Sequence, residues 1–155
     1  MHSRAGRPAM HETPLRSSLT FTTDLAAVRE LVRRHARKAG LADNRAVDLV
    51  IAVSEVAANT VQHARTSGRL DIWHNTGEIV CQVTDGGFIG DPLAGTRAPR
   101  PDATAGFGLW MVNQLCDRFD LRSDENGTTI RMHMDLLHDA GRSRDRRHGP
   151  RVRRP

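Results

Sequence analysis

Apolar residues recur along the chain with two periods, about 3.6 residues in some segments and two in others, and each period predicts a different element. A short strand is predicted over residues 19–22, followed by a helix that Thr23 and Asp24 would cap and that would end at Gly40. A second helix would begin after Asp43. Its apolar residues follow the 3, 4, 7 spacing of a buried helix face. The residues expected on that face are Val47, Val50, Ile51, Ser54, Ala57, Ala58 and Val61.

The period of two appears in two pairs of segments, each joined by a turn-forming tetrapeptide. RLDIWH and EIVCQVTD flank NTGE, and FDLRS and TTIRMHM flank DENG, which predicts two hairpins. Between the hairpins, GLWMVNQLCDRF predicts a third helix. Because the strands are grouped in hairpins and each helix has one apolar face to cover, we predict an α+β two-layer sandwich. Its mostly antiparallel sheet would be covered on one face by helices, unlike a doubly wound sheet.

A long segment between the hairpins, residues 86–108, follows neither period. It contains six glycines and three prolines. Long loops inside compact domains are usually lids, binding loops or disordered segments. Residues 86–108 are therefore predicted to be a lid, a binding loop or a disordered segment.

The composition limits the class of protein. Hydrophobic residues make up 38% and aromatic residues 4%, without any Tyr, so the core must be built from Val, Leu, Ile, Ala and Met. No run approaches the roughly 18 apolar residues that cross a bilayer, and the first residues, which include Arg and His, lack the apolar stretch of a signal peptide. We expect a cytoplasmic protein without membrane association. Cys81 and Cys116 follow no metal or disulfide pattern and are expected to be buried as small hydrophobic residues.

The positive charge is concentrated at one end of the chain. The net charge is +5, but residues 141–155 contain seven Arg and one Asp, so residues 1–140 carry a net charge of −1. A basic run without apolar periodicity is typical of disorder, and the rest of the chain has no basic face that indicates specific nucleic-acid binding. We predict one domain at residues 17–137, between a flexible leader at 1–16 and a basic disordered tail at 138–155.

Polar residues interrupt the apolar pattern at two places that indicate a site. Glu55, Asn59 and His63 lie one helical turn apart on the second helix, so a carboxylate and an amide face the rim of the core. A solvated helix edge is the alternative interpretation. Asp85 would leave its strand on the side that faces the helices, where a carboxylate needs a partner. The backbone amides of the glycine turn that follows could also supply that partner.

Four short motifs, each common by chance, occur here together. They are Glu55-x-x-x-Asn59 on a helix, Asp85-x-Gly87 at the end of a strand, Gly106-x-Gly108 before a helix, and Gly127-Thr128 at the start of the last strand. With these motifs, residues 17–136 resemble the GHKL or Bergerat-fold ATPases. More narrowly, they resemble the anti-sigma regulatory factors with serine/threonine kinase activity of Gram-positive bacteria. GFGLWMVNQLCDRFDLRS is especially similar to the actinobacterial members.

The resemblance implies that the motif residues bind ATP and Mg²⁺. Asn59 would ligate Mg²⁺ through its side-chain oxygen, a hard donor suited to a hard cation. Glu55 would be the general base that accepts a proton from an attacking hydroxyl. Asp85 would accept a hydrogen bond from the adenine amino group, and Gly87 would let the backbone pass close beneath the base.

The resemblance also implies residues on the phosphate side of the nucleotide. Gly106 and Gly108 would let the loop approach the phosphates, at a helix N-terminus that faces negative charge. His63 and Arg65 would lie nearby, although a histidine at a helix end is more often packed than catalytic. Thr128, on the adenine side, matches the threonine that supports the adenine-binding Asp.

The chain departs from the pattern of the resembled family in both glycine boxes. Ile89 occupies the place of a second glycine in the first box, and Phe107 fills the middle of the second box. Neither change removes a group with a chemical role. The two departures therefore bear on nucleotide affinity more than on the fold.

The function that the resemblance implies is phosphoryl transfer from ATP to a serine or threonine of a small antagonist protein of the STAS type. The same protein would sequester a sigma factor, and phosphorylation would release the antagonist so that the sigma factor is held again. The alternative is a non-catalytic binding module with the same fold, although the intact Glu55 argues against it. The catalytic domain of a histidine kinase is disfavoured, because residues 1–16 are too short for a dimerisation hairpin that carries a phospho-accepting His. Homodimer formation is left open.

Overall fold

Three helices and five strands follow one another in the computed structural model, which describes residues 16–64, 67–91, 93–102 and 107–137. The elements are β1 (Arg16–Phe21), α1 (Leu25–Ala39), α2 (Asp43–Asn59), β2 (Gly68–His74), β3 (Glu78–Asp85), α3 (Phe107–Leu115), β4 (Arg118–Asp124) and β5 (Gly127–Asp135). A short π-helical turn, Thr60–Ala64, continues α2. The predicted tail and all of the predicted leader except Arg16 lie outside the described residues.

The five strands form one sheet in the order β1-β2-β3-β5-β4, and every neighbouring pair is antiparallel. One face of the sheet shares a core with the helices; its buried residues include Leu70, Ile72, Ile79, Cys81, Val83, Ile130, Met132 and Met134. The other face is polar, and on it the guanidinium groups of Arg16 and Arg131 lie 5.0 and 5.7 Å from the ring centre of Trp73. This architecture confirms the predicted two-layer α+β sandwich.

Both cysteines lie in that core, as the sequence predicts. Cys81 and Cys116 are buried and unbonded to one another. Burial, with a smaller contribution from Cys116, raises the pKa of the Cys81 thiol well above its ordinary value. Cys81 is therefore a protonated packing residue at neutral pH.

Helix α1 begins and ends as predicted. The Asp24 carboxylate accepts hydrogen bonds from the backbone N–H groups of Ala26 and Ala27, at 3.2 and 3.4 Å. Gly40 ends the helix in the left-handed conformation with φ +79°, and its N–H donates to the carbonyl of Arg37 at 3.1 Å. A residue without a β-carbon adopts this conformation at little cost.

Helix α2 buries a different face from the predicted one. Val50 and Ala57 are buried, but the predicted core residues Val47 and Ile51 are 57% and 42% exposed. The buried apolar positions that the prediction missed are Leu49, Ala52, Val53 and Val56. The prediction was wrong because α2 is apolar over most of its circumference, so the 3, 4, 7 spacing fits more than one face. Contacts with α1, α3 and the sheet determine which face is buried.

The third helix is shorter than predicted. It ends at Leu115, whereas the apolar pattern predicts a helix as far as Phe119. The backbone N–H of Cys116 still bonds to the carbonyl of Val112, but the N–H of Asp117 donates to the carbonyl of His133 at 3.0 Å. The chain therefore joins the sheet at Arg118, where β4 begins. No helix among the described residues is long and apolar enough to span a membrane.

Candidate functional site

A cavity of about 980 Å³ opens between the end of α2, the loop after β3, the start of α3 and the start of β5. Its size is at the upper end of the range of about 300–1,000 Å³ that is typical of ligand sites. Six residues predicted from the four motifs line it: Glu55, Asn59, Asp85, Gly87, Gly108 and Thr128. Gly106 and Arg65 lie outside the described residues. The fold thus gathers motifs that are far apart in sequence around one cavity.

The Asp85 carboxylate is held in a fixed orientation at one end of the cavity. Its Oδ2 accepts a hydrogen bond from the hydroxyl of Thr60 at 2.7 Å, and its Oδ1 accepts one from the N–H of Gly87 at 2.8 Å. The N–H of Gly87, in the glycine turn, is therefore one partner of the Asp85 carboxylate, as the alternative interpretation of Asp85 predicted. Each carboxylate oxygen can accept a further bond, so the group can still receive an amino hydrogen from a ligand.

Thr60, which belongs to none of the four motifs, is 2% exposed. It begins the π-helical turn that follows α2. Its hydroxyl also approaches the carbonyl of Val56 at 3.3 Å, so the side chain is fixed on both sides. Single π-helical turns within or next to α-helices are frequent at functional sites. The one available signal in the sequence was a hydroxyl residue directly after Asn59.

Thr128 supports the loop after β3 through the backbone. Its hydroxyl donates to the carbonyl of Gly87 at 2.9 Å and lies 2.7 Å from the hydroxyl of Ser123. Ser123 in turn accepts a hydrogen bond from the N–H of Ile89 at 2.8 Å. Since the Thr128 proton is already committed to Gly87, Ser123 must donate to Thr128. Thr128 thus acts on the loop that carries Gly87, and Ser123 is a second support that the motifs did not indicate.

Two glycines allow close approaches that other residues would block. A β-carbon on Gly108 would lie 2.6 Å from Oε1 of Glu55, so the Glu55 carboxylate rests against the first turn of α3. Gly127 has φ +135°, and a β-carbon there would lie 2.4 Å from the carbonyl oxygen of Asp85. Gly108 therefore lets α3 approach α2, and Gly127 lets the start of β5 approach the end of β3.

Glu55 and Asn59 lie one turn apart on α2, and both are half-buried at the edge of the cavity. The predicted strip continues to His63, which lines the cavity from the π-helical turn and is exposed. The described residues contain no group of three or more His, Cys, Asp or Glu side chains that could hold a metal ion. A cation at this place would therefore take most of its ligands from a bound ligand and from water.

A second concave surface, the α1–α2 groove, meets the cavity at Glu55. One wall carries Arg29, Arg33 and Arg37, which follow one another at one-turn spacing on α1. The other wall carries the exposed Val47 and Ile51 of α2, and the groove encloses about 810 Å³. Glu55 lines both the groove and the cavity. The groove was not predicted from the sequence, because the apolar spacing of α2 places Val47 and Ile51 in the core.

Comparison with known proteins identifies the fold and the family. The family model of the histidine kinase-like ATPase domain matches residues 20–134. No curated protein matches the chain in sequence. A structure of the RsbU and RsbW domains of Rv1364c from Mycobacterium tuberculosis is similar, with a TM-score of 0.58 and 20% identity over 77% of this chain. This chain spans about a third of that one, 32%.

A structure of the catalytic domain of histidine kinase ThkA is also similar, with a TM-score of 0.49 and 15% identity over 77% of this chain and 96% of that one. The family match covers most of the described domain and includes all four motifs. The chain therefore belongs to the histidine kinase-like ATPase domain family, and this membership implies that it binds ATP.

Proposed function

We propose that this chain is a Mg²⁺-dependent protein kinase that transfers the terminal phosphoryl group of ATP to a serine or threonine of an antagonist protein of the STAS type. The same chain would hold a sigma factor when the antagonist is phosphorylated. The observation that carries the proposal is the position of Glu55, where the ATP cavity meets a groove suited to a protein partner.

The cavity has groups suited to both ends of ATP. Asp85, oriented by Thr60 and Gly87, offers free lone pairs to the adenine amino group. At the other end, the side-chain oxygen of Asn59 and the phosphate oxygens would form a ligand set that suits Mg²⁺, which favours oxygen donors and retains water. When bound, Mg²⁺ would neutralise charge on the phosphates.

Glu55 lies where a base for the transfer is needed. Its carboxylate accepts the proton of the acceptor hydroxyl while the hydroxyl oxygen forms a bond to the terminal phosphorus and the bond from that phosphorus to ADP breaks. The first turn of α3 contacts the Glu55 carboxylate at Gly108 and so limits where the carboxylate can lie. The products are a phosphorylated acceptor and ADP, and the proton leaves through Glu55.

The α1–α2 groove supports a protein as the acceptor. Val47 and Ile51 are large apolar side chains that remain exposed, which is typical of surfaces that bind another protein. The arginines on the opposite wall favour a partner segment with acidic side chains beside its apolar ones. A partner in this groove would bring its hydroxyl groups next to Glu55.

Phosphoryl transfer to purified STAS-type antagonists, measured with labelled Mg-ATP, tests the proposal. The double variant Val47→Asp with Ile51→Asp should keep its fold and its ATP affinity, because both residues are exposed. Its KM for the acceptor should rise at least about ten-fold, since the loss of apolar anchors in an interface costs more than about 1 kcal/mol. Leu137→Asp is the matched control, since Leu137 is 86% exposed and lines neither concave surface. Complexes without any transfer by the parent chain would instead favour a non-catalytic binding module.

A further inference from the structure

The lining of the ATP cavity is poor in positive charge. Among the described residues that line it, Glu55, Asp85 and Asp91 carry carboxylates, whereas Arg97 carries the single guanidinium and no Lys is present. The polyphosphate of ATP is strongly negative, so a lining with more carboxylates than cations would repel it. The position of Arg97 therefore matters for how the phosphates are held.

Arg97 follows a turn that is closed by its own hydrogen bonds. The carboxylate of Asp91 accepts a hydrogen bond from the N–H of Leu93 at 2.9 Å, and the carbonyl of Asp91 accepts one from the N–H of Ala94 at 3.1 Å. The N–H and the hydroxyl of Thr96 both donate to the carbonyl of Leu93, at 3.0 and 2.7 Å. These bonds join Asp91 to residues 93 and 94, and Thr96 to residue 93, so the described residues are held together up to the one before Arg97.

The same turn is fastened to α3. The side-chain amide of Asn113 donates to the carbonyl of Gly95 at 3.0 Å. Gly95 has φ +79°, and a β-carbon there would lie 3.0 Å from the carbonyl oxygen of Leu109. Leu109 belongs to the first turn of α3, the same turn through which Gly108 touches Glu55. The turn therefore lies at the end of the cavity where Glu55 is found.

The guanidinium of Arg97 is available to a ligand. The side chain is exposed, and within the described part of the chain it makes no hydrogen bond or ion pair. A guanidinium can donate two parallel hydrogen bonds to phosphate oxygens, and in phosphoryl transfer an arginine from the same chain can stabilise the charge of the transferred group.

We propose that Arg97 binds the terminal phosphate of ATP, and that Asn113 is a positioning residue that holds residues 93–96 against α3 so that Arg97 reaches it. The inference rests on ATP binding at this cavity. It predicts that Arg97 distinguishes ATP from ADP, since the terminal phosphate is absent from ADP. Because the hydrogen bond is exposed, its loss should weaken ATP binding about ten-fold, which corresponds to about 1.4 kcal/mol.

Calorimetric titration with Mg-ATP and with Mg-ADP tests this assignment. Arg97→Gln should weaken ATP binding about ten-fold and change ADP binding less than about two-fold, whereas Arg97→Lys should retain part of the preference for ATP. Arg100→Gln is the matched control, because Arg100 is an exposed arginine of the same loop that does not line the cavity. Asn113→Leu should lower the ratio of ATP to ADP affinity without abolishing ADP binding.

The outcomes separate the inference from the function on which it rests. A parent chain that binds neither nucleotide would refute ATP binding at this cavity and the role of Arg97 with it. A parent that prefers ATP, together with an Arg97→Gln variant that keeps the full preference, would overturn the role of Arg97 alone. An equal loss in Arg100→Gln would also overturn it, since the effect would then be general attraction by a basic loop.

Discussion

Replacing Gly108 with Ala tests the contact that places the Glu55 carboxylate. A β-carbon on Gly108 would lie 2.6 Å from Glu55 Oε1, and an ordinary contact begins at 3.4 Å, so the carboxylate must move by about 0.8 Å. That oxygen is the free end of a flexible side chain, and Ala is favoured over Gly in a helix by about 1 kcal/mol. We therefore expect the free energy of unfolding to stay the same or to rise by up to about 1 kcal/mol.

The same substitution should lower the rate of phosphoryl transfer. Misplacing a reacting group by about 1 Å can lower a rate by about 10²-fold, so transfer should fall by roughly 10- to 10²-fold. Single-turnover transfer to the acceptor protein measures the rate, and thermal unfolding measures the stability. Gly90→Ala is the control, because a β-carbon at Gly90 meets only Phe88, at an ordinary distance of 3.5 Å.

A double-mutant cycle shows whether the loss acts through Glu55. In a Glu55→Ala background the clash with the new methyl group is absent, so Gly108→Ala should not lower the residual rate further. If Gly108→Ala transferred phosphate as fast as the parent, or lowered the rate equally with and without Glu55, the contact would have no part in placing the base.

Three further changes test other parts of the structure. Ser123→Ala removes the partner of the Ile89 N–H and a donor to Thr128, and should lower the free energy of unfolding by about 1–3 kcal/mol in urea titrations. Asp117→Ala removes the acceptor of the Asp135 N–H and leaves Asp48, at 3.9 Å, as the carboxylate beside the buried Arg45 guanidinium among the described residues. It should cost about 3 kcal/mol in the same assay. Burial lowers the pKa of His35 below its ordinary 6.5, and the nearby His74 lowers it further. The unfolded chain therefore binds a proton that the folded chain does not. Stability should therefore decrease as the pH falls below about 6.5, and His35→Gln should reduce that dependence in unfolding measured from pH 7.5 to 5.5.

The sequence predicted the elements well where local chemistry determines them. Asp24 and Gly40 fixed the ends of α1, and the alternation around NTGE and DENG fixed both hairpins. These signals act within a few residues, so they do not depend on the rest of the fold. The resemblance then indicated which motif residues would meet at one cavity.

The features that the sequence did not predict depend on contacts between distant segments. The buried face of α2 was wrong because the helix is apolar on several sides, and only its neighbours leave Val47 and Ile51 exposed. The hydrogen bond from Thr60 to Asp85 joins residues 25 positions apart, and that from Ile89 to Ser123 joins residues 34 apart. No local period marks such pairs, so neither support of the site could be predicted from the sequence.

Glu55→Gln offers the most direct test of the proposed kinase, because it removes the charge of the base and keeps the shape of the side chain. The metal and the adenine are assigned to Asn59 and Asp85, so the variant should bind Mg-ATP about as well as the parent and still capture its protein partners. Its rate of phosphoryl transfer to the antagonist should fall by roughly 10²–10⁴-fold, the range typical of losing a general base. Transfer by the variant at the rate of the parent chain would contradict the assignment of Glu55 and the account of the site built on it.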